Sequence, residues 1–294
     1  MSSQKNATTP ILKVIPPGFQ RILKYTMHVA KIPGLNRDGY DITLVHGIAA
    51  AAATWITLIR FLMPHARNIL VFDMPGHGLS ADPIPPFSCE DAYEAVSACL
   101  LKNLDPSNPN LLIGNSLGGG FSIKFAKDYP DLIQRLVLIS PAGAPFPGTV
   151  SEVLDMFLPK DIKEAIFGLK KAFAFPTKKA YLLAPVLLHY SARPGFRSLM
   201  HSIKEIDSNP ESRLKSLMFT PEDLADFHTQ SLLIWGQRDK VLPSQMRDYF
   251  DAHLPNSTTR LFPSNFGHCP QFEQPMELAT YIMEWLNSSA DNMT

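Results

Sequence analysis

The sequence predicts an α/β protein built on a doubly wound, mostly parallel sheet, with a helical insertion between two of its strands. Three observations predict it: short apolar runs recur with no polar alternation inside them, segments of helix length separate these runs, and residues 146–227 carry helical material alone. Continuous hydrophobicity marks strands covered on both faces, and the alternating helices supply the crossovers that parallel pairing needs.

The strand runs, in order, are ITLVH (42–46), NILVFD (68–73), NLLIGN (110–115), RLVLIS (135–140), SLLIWG (231–236) and the weaker TTRLF (258–262). Helices are expected over 55–64, 89–104, 117–128, 243–253 and 275–287. Ser88, with Asp91 three residues on, offers a side-chain oxygen to the free N–H groups at a helix start, and Pro243 suits a first turn because it has no N–H to leave unpaired. The 146–227 stretch is rich in large apolar residues, among them Leu154, Phe157, Phe167, Phe173, Tyr181 and Leu187. Pro159, Pro176, Pro185, Pro194, Pro210 and Pro221 are expected to cut it into short helices. The organisation expected is a core over 1–145, whose residues 1–40 form a basic N-terminal segment, a helical insertion over 146–227, and the rest of the core over 228–294.

With 294 residues, 45% hydrophobic and 18% charged, the chain can bury a sizeable core. Lys+Arg and Asp+Glu balance at 27 each, so no overall field draws it to nucleic acid, and no nucleic-acid partner is expected. Cys89, Cys99 and Cys269 are too few and too scattered for a disulfide framework or a metal cluster and suit a reducing, cytoplasmic compartment. The histidines His28, His65, His189, His201, His228 and His253 show no metal-ligand spacing, and no metal is expected. Neither a secretory signal nor a membrane-spanning run is evident. Up to residue 37 the chain carries Lys5, Lys13, Arg21, Lys24, Lys31 and Arg37 and no acid, with Phe19, Ile22, Tyr25 and Met27 interleaved. That pattern reads as a helix, either lying on an anionic membrane as a peripheral anchor or packed on the domain with its basic face in water.

The residues that carry chemistry begin with LLIGNSLGGG, in which Gly114-Asn115-Ser116-Leu117-Gly118 is a G-x-S-x-G between a strand and a helix. A sharp strand-to-helix turn forces the serine into strained backbone angles and needs residues without Cβ on either side. The new helix's first N–H groups then lie beside the nucleophile. A serine hydroxyl needs a base, and the base needs an acid to hold its tautomer. Asp239, in WGQRDKVLP, and His268, in NFGHCPQFEQP, each follow a strand, in loops on the edge of the sheet where Ser116 stands, where open α/β sheets place their ligand sites.

On these residues the chain resembles the α/β-hydrolases, of the single-chain, helical-capped kind. The resemblance runs from about Asp41 to Asn287 and rests on LVHG with Trp55 downstream, FDMPGHGLS, GNSLGG, WGQRD and GHCPQFE, in that order. It implies Ser116 as nucleophile, His268 as general base and then acid, and Asp239 as the orienting carboxylate. It also implies an oxyanion hole made by the backbone N–H groups of Leu117 and Ile48, and no metal or organic cofactor. Asp73 and His77 are read as a brace in the DMPGHGLS turn, His46 as a partner of loop backbone, and Glu273 as a helix-start carboxylate or a contact of His268 or its loop.

A serine at the elbow makes an acyl-enzyme, which points to carboxylic esters, thioesters or acyl-like carbonyls. Two groups of serine relatives fit: carboxylesterases, including monoacylglycerol-lipase-like enzymes, and hydrolases that cleave carbon–carbon bonds in ring-fission products. Members of the second group carry a tryptophan after the catalytic histidine and a glycine-serine-rich oxyanion loop; this chain has Cys269 and Ile48. A charged substrate also wants a pocket cation, for which Arg193 and Arg197 are the candidates, although both suit exposed positions. The expected substrate is therefore a small apolar ester, with a non-catalytic small-molecule receptor as the reading of another class. The alanine row 49–53 would lead into the helix at Trp55 while leaving room beside the nucleophile, and a positive φ there would strain Ala49.

Overall fold

The computed structural model describes residues 18–148, 150–175, 178–208 and 218–290. Eight strands form one sheet: Gly18–Ile22 (β1), Tyr25–Pro33 (β2), Tyr40–Val45 (β3), Ala66–Phe72 (β4), Asn110–Asn115 (β5), Arg135–Ile139 (β6), Gln230–Ile234 (β7) and Thr259–Leu261 (β8). Their order is β1-β2-β4-β3-β5-β6-β7-β8. From β4 to β8 the neighbours are parallel, and β1 and β2 extend the β4 edge antiparallel.

Each central strand is apolar throughout because both its faces are covered. In β5, Leu111 and Ile113 enter one core cluster and Leu112 the other; in β6, Val137 and Ile139 oppose Leu136 and Leu138 in the same way. The helices Ile56–Leu62 (α1), Cys89–Asn103 (α2) and Leu117–Asp128 (α3) cover the first half of the sheet. α2 and α3 bring Val96, Leu100, Phe121 and Phe125 to one face, and α1 brings Leu58 and Leu62 to the other. Each such side chain is worth about 1.5–3 kcal/mol of burial. Ser88 closes a capping box with Asp91, whose carboxylate accepts the Ser88 N–H.

The strand order turns at β3. Its chain continues to β4 on one side, while β5, on its other side, continues to β6. The carboxyl ends of β3 and β5 therefore flank a crevice of the kind in which open α/β sheets bind ligands.

Residues 18–33 are a β-hairpin, not the helix their sequence suggests. Tyr25, Met27 and Val29 are buried while Thr26 and His28 between them are half-buried, a period of two, and β2 pairs with β4 from Val29↔Phe72 to Pro33↔Asn68. Leu23, at φ 50°, makes the turn without the Asn-Gly or Asp-Gly that would have signalled it. Residues 1–17, with Lys5 and Lys13, lie outside the described residues.

Between β6 and β7 the chain forms Val150–Asp155 (α4), Ile162–Ala172 (α5), Lys179–Ala192 (α6), Pro194–Ser208 (α7) and Pro221–Ala225 (α8). Pro194 and Pro221 open helices, whereas Pro185 stands inside α6 and does not break it. Packing of Ala184 and Leu187 against α5, and of Tyr190 against Phe196 and Met200, outweighs the roughly 3 kcal/mol that an internal proline costs. After β7 come Ser244–His253 (α9), Pro270–Glu273 (α10) and Pro275–Ala290 (α11), and α11 lays Leu278 and Ile282 against the α1 face.

The end of α6 is fastened to the core. Arg193 Nη1 and Nη2 donate to the carbonyls of Gly76 (3.0 Å) and Ser80 (2.9 Å), and its Nε lies 3.6 Å from Asp82. The Tyr190 hydroxyl accepts the Gly78 N–H at 2.8 Å, and Ser198 and Ser202 of α7 accept the N–H groups of Phe87 and Cys89. Arg193 is thus neither the pocket cation nor the exposed charge that its sequence context allowed; Arg197 is exposed. Arg193→Ala leaves the Gly76 and Ser80 carbonyls without this donor and removes the cation beside Asp82, and is expected to lower the unfolding free energy by about 1–3 kcal/mol in urea titrations.

Candidate active site

The elbow is built by close approach. Ser116, the residue before α3, has φ 55° and ψ −121°. A Cβ on Gly114 would lie 2.5 Å from both the Gly118 carbonyl oxygen and Ser122 Oγ, and one on Gly118 would collide with the carbonyls of Val45 and His46. Only glycine at both positions lets β3, β5 and α3 converge so tightly. The turn is held by Ser116 N–H to the Ile139 carbonyl (3.0 Å), and by the Ser116 carbonyl, which accepts from Ala142 (2.9 Å) and Gly120 (3.1 Å). A backbone in so sparsely populated a region costs about 1–3 kcal/mol and persists because its surroundings over-determine it.

His268 and Asp239 are joined. His268 Nδ1 lies 2.7 Å from Asp239 Oδ2, and both side chains are buried. Asp239 Oδ1 accepts the N–H groups of Val241 (2.9 Å) and Leu242 (3.0 Å). Burial alone would raise the Asp239 carboxyl; the charge of His268, its hydrogen bond and the two backbone donors reverse this and hold the group below the usual carboxylate value. The pair leaves the other ring nitrogen, Nε2, as the one free to exchange a proton.

Two cavities meet at Ser116 and share Ile48 and Phe157. The first, of about 120 Å³, is walled by Leu117, Leu154, Val153 and Met246 among others; the second, of about 240 Å³, contains His268 together with the alanines 49–51 and 53. Among the described residues that line them there is no Lys, Arg, Asp or Glu. Leu117 is the first residue of α3, so its N–H has no partner within the helix, and Ile48 borders both cavities. Arg197, the other cation candidate, is on neither wall.

The loop after β3 passes close to Ser116, since a Cβ on Gly47 would lie 3.0 Å from Ser116 Cβ. Ala49 has φ 55°, the left-handed region that costs an L-residue about 1–2 kcal/mol. The alanine row then divides. Ala51 is extended, and Ala52–Trp55 forms a short 3-10 turn leading into α1. Asp73 fixes that division by accepting the Ala52 N–H at 2.7 Å while its other oxygen accepts from Leu79 at 3.0 Å. His46 donates from Nδ1 to the Gly47 carbonyl (2.7 Å) and accepts the Met74 N–H at Nε2 (3.0 Å). His77 Nδ1 donates to the Pro75 carbonyl, and its ring packs on Tyr190 and Phe196. Burial lowers the pKa of both histidines, that of His77 to about 3, so they brace the loops as neutral groups.

One positioning residue, Asn115, escaped the sequence reading. The Asn115 amide donates to the His268 carbonyl (3.0 Å) and the Ile139 carbonyl (3.1 Å), and its oxygen accepts from Gln271 (3.0 Å), tying the elbow to the histidine loop. The only signal was its place beside the serine. Glu273 lies in the first turn of the four-residue α10, and its carboxylate accepts the Ala174 N–H at 2.9 Å, fastening the segment after α5 beside the His268 loop. The His268 N–H donates to the Ala172 carbonyl at 3.2 Å.

Comparison with known proteins places the chain in a family. A model of the alpha/beta hydrolase fold matches residues 42–275, and the chain belongs to that family. It is 28% identical over 256 residues to a 2-hydroxy-6-oxo-2,4-heptadienoate hydrolase of Pseudomonas putida, covering 84% of this chain and 89% of the relative. It is 25% identical over 281 residues to a monoacylglycerol lipase of Bos taurus, covering 87% and 79%. A carboxylesterase from Bacillus subtilis shares the fold with a TM-score of 0.74 at 20% identity, over 92% of this chain and 91% of that one.

Two outcomes check the loop. Ala49→Gly relieves the left-handed strain and is expected to raise the unfolding free energy by about 1 kcal/mol. The histidines set a pH dependence. The unfolded His77 takes up a proton near its ordinary pKa of 6.5 and the native one only near 3. The unfolded chain therefore binds more protons between those values, and stability present in full above the upper one is lost as pH falls. From about pH 7.5 to about pH 5 the expected loss is roughly 2 kcal/mol from this residue, read as a lower urea midpoint.

Proposed function

We propose that the chain is a serine hydrolase of carboxylic esters with apolar acyl groups, in which Ser116 is the nucleophile, His268 the base and then the acid, and Asp239 the carboxylate that orients it. The observation that carries the ester reading is the character of the two cavities, which offer Ser116 apolar walls and, among the described lining residues, no charged side chain. A dienol acid from ring fission would bring a carboxylate there with no cation to receive it, and an unpaired buried charge is costly.

In the first half-reaction Ser116 Oγ bonds to the ester carbon while its proton passes to His268 Nε2, and the carbonyl electron pair moves onto oxygen. The backbone N–H groups of Leu117 and Ile48 receive that oxyanion; removing one such donor costs about 3–4 kcal/mol of transition-state stabilisation. The carbon–oxygen bond to the alcohol then breaks, and the proton on His268 goes to the departing oxygen. Water repeats the sequence on the acyl-enzyme and releases the acid. No metal or organic cofactor takes part.

This chemistry assigns the cavities. The leaving oxygen must reach His268, which lines only the second, so the alcohol sits there and the acyl group in the first. The first is of the scale of a cavity of about 150 Å³ that accommodates benzene, which suits an acyl group of about six carbons or a phenyl ring. Residues 146–227 act as a cap, since Val153, Leu154 and Phe157 wall the first cavity and Leu183, Val186 and Leu187 the second.

With p-nitrophenyl esters, kcat/KM is expected to rise from acetate towards hexanoate, by up to about fourfold per methylene, and to fall for longer chains. Ser116→Ala should abolish turnover, and Val153→Phe should move the optimum to shorter acids. A wild-type protein inert across the series would refute the ester reading and leave a small-molecule receptor. Faster bleaching of a yellow ring-fission dienolate than of any ester would assign the carbon–carbon reaction instead.

A further inference from the structure

A helix on a protein surface ordinarily turns a polar face to water. α6 turns a largely apolar one: among its described side chains the exposed ones are Tyr181, Leu182, Pro185, Val186, His189 and Ala192, with His189, in the last turn, the titratable one. Leu182 is 77% exposed and Val186 46%. The neighbouring α5 adds Phe167, 65% exposed. The two helices adjoin at this face, because Lys170 Nζ of α5 lies 3.2 Å from the Tyr181 hydroxyl and 5.1 Å from its ring centroid. Exposed apolar side chains contiguous over two helices mark an interaction surface rather than scattered surface hydrophobics.

The charge around the patch selects the partner. Glu152, Asp155 and Glu164 line a groove on one side of Phe167 together with Lys163 and Lys171, but from Glu164 to Glu205 the sequence has no further acid, and Lys170 and Lys178 stand on the α6 side of the patch. Lys171 extends over the Phe167 ring, 5.0 Å from its centroid, and Lys178 is exposed. A second copy of the chain docked here about a twofold axis would set these lysines against themselves. An anionic bilayer instead receives apolar side chains at its acyl boundary and lysine ammonium groups at its headgroups. The patch also adjoins the second cavity, since Val186 is both exposed and part of the wall that holds His268.

We infer that the exposed face of α5 and α6 is a membrane-docking surface that seats this protein on anionic lipid, with the cavity containing His268 opening beside the bilayer. An apolar ester dissolved in the lipid would then enter without crossing water. The docking surface does not depend on the hydrolase reading, and its test is made without turnover.

Full-length protein is sedimented with vesicles of phosphatidylcholine alone and of phosphatidylcholine mixed with phosphatidylglycerol. Binding is expected to the mixed vesicles, to weaken with added salt and to be far weaker on phosphatidylcholine alone. Leu182→Asp with Phe167→Asp should weaken it by about tenfold or more, the worth of one large apolar side chain, and Lys170→Glu with Lys178→Glu should remove the preference for anionic lipid. Circular dichroism on the same samples establishes that the variants are folded. Protein that stays in the supernatant with both vesicle types, or folded variants that bind as the wild type does, would overturn the inference. So would a dimer in sedimentation velocity that Leu182→Asp dissolves, which would give the patch to a second copy.

Discussion

The structure depends on one backbone constraint. Ser116 can stand at φ 55° and ψ −121° only because β3, β5 and α3 crowd the turn so closely that Gly114 and Gly118 have no room for a Cβ. The strain of a few kcal/mol is small beside the apolar burial on the two faces of the sheet, but it is local, and it decides where a hydroxyl is presented. The sheet is a rigid mount for that one residue. Its order, turning at β3, leaves the crevice into which the serine projects.

Around that mount the loops are held by neutral groups and by hydrogen bonds to backbone. Asp73 and His46 fix the run after β3, Asn115 ties the elbow to the histidine loop, and Arg193 and Tyr190 fasten the helical insertion to the turn at 76–80. The side chains of Asp239 and His268 form a buried ion-pair-like contact, and His268 lines a cavity whose walls are mostly apolar. In surroundings of low polarity such a pair interacts more strongly than in water, which suits a base whose tautomer must be fixed. The alanines belong to the same logic: small side chains keep the second cavity open where the chain passes nearest the serine, at the cost of one left-handed residue, Ala49.

How much of this was legible followed the range of the interactions. The parallel strands were readable because two-sided burial leaves a continuous apolar run, and the elbow because its geometry demands glycine at fixed spacing. The hairpin at 18–33 was not, since its period of two was masked by interleaved basic residues and its turn, at Leu23, lacks a turn signature. Pro185 misled because a propensity of about 3 kcal/mol reads as decisive in isolation and is outweighed by packing that no local window contains. Asn115 and Arg193 act on residues 153 and more than 110 positions away in the chain, and nothing adjacent to either reveals such a partner. The apolar face of α6 was visible as composition, but only the fold shows that it is exposed.

The central claim is that the buried Asp239–His268 pair activates Ser116. The direct measurement is labelling with an alkyl fluorophosphonate, followed by peptide mass spectrometry. One adduct is expected, on the peptide bearing Ser116, with labelling slowed by orders of magnitude in His268→Ala and absent in Ser116→Ala. An unlabelled wild-type protein, an adduct on another residue, or labelling of Ser116 that is indifferent to loss of His268 would contradict it.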